Sequence, residues 1–166
     1  MSFAGRLHQK PYLEQWERIN RWYHRLNKLK KSNMPENETN NQVDFIYAFF
    51  INCFHLRDWL IAYDPSLSDK INKLFEFKEM QICRDICNGC KHLSLTYPSI
   101  REFNGFVEGV SIHREFDPFQ NILKYDNPIQ NITYVILAGP EKFNLFFIVD
   151  RCMSIWKTFL SENGLL

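Results

Sequence analysis

The sequence lacks an apolar run clean enough to cross a membrane. Its most apolar stretch, Val43 to Ala62, is interrupted by Asp44, His55, Arg57 and Asp58, the pattern of a buried core helix rather than a lipid-facing span. No positively charged and then apolar leader opens the chain, so secretion is not expected and the cytoplasm is. In a cytoplasmic protein the sequons at Asn37 and Asn131 carry no meaning. No internal repeat, low-complexity block or linker divides the chain, so the 166 residues are expected to form one domain over 1–166 with a core of its own. A disulfide framework is not expected either. The cysteines number five, which is odd, and three crowd into one short segment, as suits a reducing compartment.

Net charge is also nearly absent, at +1, but it is unevenly spread. Residues 1–32 carry eight Lys or Arg against Glu14 and Glu17, hence +6, and the remainder carries twelve against seventeen, hence −5. A basic first helix on an acidic body can attract phosphates or an acidic partner, or simply be a solvated face. What the chain has in abundance is aromatic side chain, fifteen Phe and four Trp, which excludes disorder.

The fold class read from periodicity is mainly α, a helical bundle of about four main helices with a small antiparallel β-hairpin, at about 103–138, before the last helix. Helix one is expected over 11–31, with Pro11 at its first position and Tyr12, Trp16, Ile19, Tyr23 and Leu26 in one stripe. Helix two is expected from about Gln42 to Tyr63, stopped by Asp64-Pro65. It is apolar nearly all round and so central, yet Asp44, Asn52, His55 and Asp58 share one stripe roughly 120° wide. A short helix follows near Leu67 to Phe75. Helix three is expected over about Phe77 to Leu95, stopped by Tyr97-Pro98. Two strands, near Phe106 to His113 and Ile132 to Leu137, are joined by the Pro118 to Asn131 loop, and Gly139-Pro140 breaks the chain before a last helix from about Phe143 to Phe159.

The chemistry concentrates in Cys83-Arg-Asp-Ile-Cys-Asn-Gly-Cys-Lys-His92. Cys83, Cys87 and Cys90 have the CxxxCxxC spacing that holds an iron–sulfur cluster in radical enzymes. Helical periodicity argues against that use, since about 100° per residue puts all three cysteines with Ile82, Ile86 and Leu93 on a core face. Cysteine packed as a small hydrophobe is the better reading. Zinc gains no support, because no second CxxC pair exists. Neither metal nor cofactor is therefore expected. The opposite face gathers Arg84, Asp85, Asn88, Lys91 and His92. It is either solvated or a site, and Asn88-Gly89, poor residues inside a helix, point to a local constraint. If helices two and three pair antiparallel, Asn52, His55 and Asp58 would face this set across a polar groove, as a site or as a structural hydrogen-bond network. A metal held by His55, Asp58 and His92 would require those side chains to converge.

The residues His55-Leu-Arg-Asp58-Trp59, the Cys83–His92 segment and Trp156-Lys-Thr-Phe-Leu160 resemble a family of small bacterial and phage-associated proteins marked by HLxDW and RDxxNxxKH patterns, over most of the chain. That family has no established activity. More distantly, the segment resembles HEPN domains, helical bundles many of which are metal-independent ribonucleases in toxin–antitoxin, CRISPR and abortive-infection systems. The resemblance implies Arg84, Asp85 and His92 as counterparts of the HEPN arginine, its following polar residue and its histidine, commonly acting across a dimer. HEPN motifs place fewer residues between arginine and histidine than the seven found here. The implied function is a metal-independent endoribonuclease of a bacterial defence or toxin–antitoxin system, with His92, Arg84, Asp85, Asn88 and Lys91 catalytic and His55, Asp58 and Asn52 supporting. The alternative is a non-catalytic helical module within a larger defence or regulatory complex. The expected partners are RNA and a protein, either another chain or a second copy, with no membrane.

Overall fold

The computed structural model describes residues 10–29, 39–90, 99–100, 111–114, 130–138 and 140–166. Among them the chain is mainly helical. Helix α1 spans Pro11–Leu29, α2 Thr39–Tyr63, α3 Ser68–Leu74, α4 Lys78–Gly89 and α5 Leu145–Glu162. Four short strands stand between α4 and α5: β1 (Ser111–Arg114), β2 (Gln130–Thr133), β3 (Val135–Ala138) and β4 (Glu141–Asn144).

The helix ends follow local chemistry. Glu14 sits in the first turn of α1 and Lys28 in its last, each favourable to the helix dipole. Helix α2 stops where Pro65 forbids a further turn. Asp64 then accepts the Ser66 backbone N–H at 3.0 Å and the Ser66 hydroxyl at 2.7 Å, which starts the 3-10 turn Pro65–Leu67 leading into α3. Asn144 caps α5 by accepting the Phe147 N–H at 3.1 Å.

Helix α1 lies antiparallel to α2. Tyr12 packs against Tyr63 at one end, with ring centroids 4.7 Å apart, and Trp22 against Phe45 at the other, at 5.7 Å. It is also antiparallel to α5, since the Tyr12 hydroxyl donates to the Leu165 carbonyl and the Tyr23 hydroxyl to Asp150, both at 2.9 Å. The expected stripe holds, with Tyr12, Ile19 and Leu26 fully buried. Helix α2 gives Ile46, Phe49, Phe50, Cys53, Leu56 and Leu60 to the core, and α5 gives Leu145, Ile148, Val149, Cys152, Trp156 and Leu160. The Phe75 ring joins them, edge-on to Phe54 at 5.5 Å and to Trp156 at 6.3 Å.

Two boundaries differ from expectation. Helix α4 ends at Gly89, not near Leu95, so Asn88-Gly89 are its terminus and not an anomaly within it. Residues that are poor mid-helix are suited to stopping one. The sheet region also holds two hairpins. Strands β1 and β2 pair antiparallel with Ser111 opposite Thr133, as expected of a hairpin before the last helix. The run Ile132–Leu137, however, divides at Tyr134, and β3 pairs antiparallel with β4, Val135 opposite Asn144. Pro140 therefore lies in the turn of a second hairpin rather than at a break, Gly139 being outside the described residues, and β4 feeds directly into α5. The Leu145 N–H returns to the Tyr134 carbonyl at 3.0 Å. Among the described residues, no helix is long and apolar enough to cross a membrane.

Candidate functional site

Helix α4 presents different chemistry on its two sides. Arg84 is partly exposed, at 38% of its side chain, and its Nε lies 3.7 Å from Asp85 Oδ1. That is too long for a hydrogen bond but within reach of an ion pair. Asn88 is half-buried one turn further on. Lys91 and His92 lie outside the described residues, so the assembled face is described from Arg84 to Asn88 only.

Asp85 has a task that periodicity did not foretell. It stands with Arg84 on the polar side of the helix, yet it is only 1% exposed. One oxygen accepts the Ser99 N–H at 2.9 Å and the Ser99 hydroxyl at 2.5 Å, and the other accepts the Ile100 N–H at 3.0 Å. The carboxylate thus fixes the chain at 99–100 against α4. Three donors meet the carboxylate, and two of them are backbone N–H groups that it positions.

The supporting residues on α2 take separate directions. The Gln15 amide donates to the Asn52 carbonyl at 2.8 Å and to Asn52 Oδ1 at 3.2 Å, and the Asn52 amide donates to the Ala48 carbonyl at 2.7 Å. Gln15 is itself 1% exposed, so Asn52 closes a buried polar contact with α1. Asp58 is exposed and pairs with its neighbour Arg57 at 3.2 Å. His55 is half-buried. Helix α2 meets α4 at Phe50 among other places, its carbonyl accepting from the Cys83 thiol at 3.6 Å.

The basic character of α1 resolves into two parts. Arg18 is taken up by Glu14 at 3.0 Å and by Gln15 at 2.8 Å, and it lies 5.8 Å from the Trp59 ring centroid. Arg21, His24, Arg25 and Lys28 are all exposed. Their spacing of three, four and seven residues puts them on one helix face. The Arg25 guanidinium is held 4.3 Å from the Trp22 ring centroid, which orders it without neutralising it.

The interior side of α4 holds an arrangement that sequence spacing did not reveal. Cys83 meets Cys53 of α2 and Cys152 of α5, and the three sulfurs lie within 4.8 Å of one another. All three residues are fully buried. The Cys83 thiol donates to the Phe50 carbonyl and the Cys152 thiol to the Glu79 carbonyl, at 3.6 and 3.5 Å. Burial disfavours a Cys53 thiolate, but hydrogen bonds involving Cys152, Cys83 and Trp156 outweigh it and hold that thiol below its ordinary value. Burial and the bonds to its two neighbours push Cys83 well up, and the bond with Cys53 leads the same rise in Cys152.

The CxxxCxxC segment itself is split. Cys87 is buried apart from this cluster, and Cys90, expected in the core, is exposed at the helix end. It donates to the Ile86 carbonyl at 3.0 Å. The partners of Cys83 are thus not its sequence neighbours. They are single cysteines on the apolar stripes of two other helices, and their inward positions were the only available signal.

Comparison with family models, curated proteins and solved structures finds no match to this chain.

Proposed function

We propose that the protein is a HEPN-like helical bundle that engages RNA, with Arg84 and His92 as the groups of a metal-independent endoribonuclease. The observation that supports RNA contact is the exposed row Arg21, His24, Arg25 and Lys28 on α1. A row of cations with one aromatic neighbour suits a phosphate backbone, which binds through charge and releases counterions. In the cleavage step His92 takes the proton of the RNA 2′-hydroxyl, or gives one to the leaving oxygen, because an imidazole titrates near working pH. Arg84 and Lys91 stabilise the charge developing on phosphorus. Asn88 orients, and Asp85 keeps 99–100 against the same helix.

A second reading has its own support. Asp85 and Asn52 are both committed to internal hydrogen bonds, as expected of a non-catalytic module that presents its surface to a partner. One experiment separates the two. Mixed RNA is incubated with the full chain, with chelator and with divalent metal, beside Arg84→Ala and His92→Ala. Cleavage that survives chelator and disappears in both folded variants supports the ribonuclease. Intact RNA throughout refutes it. Binding is measured in parallel. Replacing Arg21, Arg25 and Lys28 by Ala removes three phosphate contacts and reduces the slope of log K against log salt by about 2. An unchanged slope removes α1 from the interface.

A further inference from the structure

We infer that Cys53, Cys83 and Cys152 form a binding site for one soft metal ion of low coordination number, cuprous copper being the physiological ion of that class. The inference stands apart from the RNA reading, because its residues lie inside the bundle and the cationic row lies on the surface of α1.

Three sulfurs from α2, α4 and α5 lie within 4.8 Å of one another. Sulfurs bound at about 2.3 Å to a single ion in a trigonal plane stand about 4 Å apart. The observed set therefore needs to draw in by less than about an ångström to close on an ion. Three helices distant in sequence converge to make it, so the site comes from the tertiary fold and not from a flexible local loop. All three residues are fully buried, which keeps water and oxidants from the sulfurs.

Ligand type and number decide the ion. An all-thiol set selects soft ions over Mg2+ or Ca2+. Zn2+ in a closed site takes four ligands, and among the described residues the metal-ligating cluster has three members. Cuprous copper has no such need of a fourth donor. Loading the site releases thiol protons to solvent. All three sulfurs bind as thiolates, so one monovalent ion displaces three thiol protons and the loaded site carries two negative charges.

Trp156 provides the second observation. Its Nε1 makes no well-formed hydrogen bond among the described residues, its one polar neighbour being the Cys53 sulfur. The indole is fully buried and lies beside Cys53. A buried donor so weakly satisfied is costly, and a metal-bound Cys53 thiolate would accept from it more strongly. Trp156 is then a positioning residue, the outer-shell donor that commonly accompanies a ligand.

The test uses the full chain, reduced and held without oxygen, titrated with Cu+ against a chromophoric cuprous chelator. The expected result is one ion per chain withheld from the chelator, with a sulfur-only shell by X-ray absorption. Cys53→Ala and Cys152→Ala lower the affinity at least about 100-fold, and Trp156→Phe lowers it about tenfold at unchanged stoichiometry. A measurement on the wild-type protein avoids any folding defect of the variants. Bound Cu+ protects Cys53, Cys83 and Cys152 from alkylation and leaves Cys90 reactive. Failure to hold Cu+ against the chelator, preference for Zn2+ over Cu+, or protection falling on Cys90 each overturns the assignment.

Discussion

Replacing Asp85 by Asn keeps the size of the side chain while removing its charge and one acceptor. In the wild-type protein the two carboxylate oxygens receive the N–H groups of Ser99 and Ile100 at 2.9 and 3.0 Å. An amide can serve only one of these with its oxygen and turns an NH2 group toward the other. The buried residue, 1% exposed, then holds two donors facing each other with no water to receive either. Losing one charge-assisted bond and leaving a buried donor unpaired costs about 2–3 kcal/mol. For a chain of this length that corresponds to a fall in Tm of about 5–10 °C. Urea unfolding followed by circular dichroism measures it, with the slope m unchanged and the midpoint lowered. Amide exchange at Ser99 and Ile100 should quicken more than exchange in the core of α2, because 99–100 is released before the bundle opens. Ser99→Ala removes only the hydroxyl donor and costs about 1 kcal/mol. The two changes together cost less than their sum, since they break one network. An Asp85→Asn protein within about 0.5 kcal/mol of wild type, with ordinary exchange at Ser99 and Ile100, would refute the assigned role.

Two further outcomes follow from buried polar contacts. Gln15→Leu removes the donor that the Asn52 oxygens receive and one of the two acceptors of Arg18, and it destabilises by about 1–3 kcal/mol, read from the urea midpoint. Tyr23 has its phenol raised above 10.0, first by burial, against a bond with Asn27 that lowers it and with Asp150 raising it by bond and charge. The folded state therefore holds that proton more tightly than the unfolded state. Its contribution to stability is complete below pH 10 and is lost as pH rises through the folded value, and Tyr23→Phe flattens that part of the stability curve in alkaline urea titrations.

Much of the bundle was legible because helix signals are local. Pro11 at a first turn, the stripe Tyr12–Ile19–Leu26 and the stop at Asp64-Pro65 act through neighbours in sequence. Helix α4 ends before the stop that Tyr97-Pro98 would supply, because Asn88-Gly89 already carry one. The β3–β4 hairpin escaped notice for a different reason. Glu141-Lys-Phe-Asn144 has little β preference, and its pairing is conferred by the partner strand and by the entry into α5. Asp85 shows the limit of the helical wheel. Angle tells which way a side chain leaves the axis, but not that a segment fourteen residues on, at Ser99, will cover it. The same limit hid the thiol cluster. Periodicity puts Cys83 on a core face, and nothing local says that it will meet single cysteines on two other helices.

The arrangement of α4 explains why one short stretch invited two incompatible readings. Successive residues leave a helix about 100° apart, so Cys83 and Arg84 can serve the interior and the surface without sharing a partner. Cys83 is bound to the packing of α2 and α5, where removing volume or a donor is felt across the core. Arg84 makes its ion pair with Asp85 and keeps its side chain partly exposed, so its loss removes a charge that the surface presents. Asp85 lies between these roles and has the polarity of the outer face with the burial of the inner one. It can do so because the backbone at 99–100 supplies the donors that water would otherwise provide. The CxxxCxxC spacing and the Arg-Asp-to-His pattern therefore do not compete for the same function. Cys83 and Arg84 leave α4 on different faces, and the geometry joins Cys83 to Cys53 and Cys152 rather than to Cys87 and Cys90.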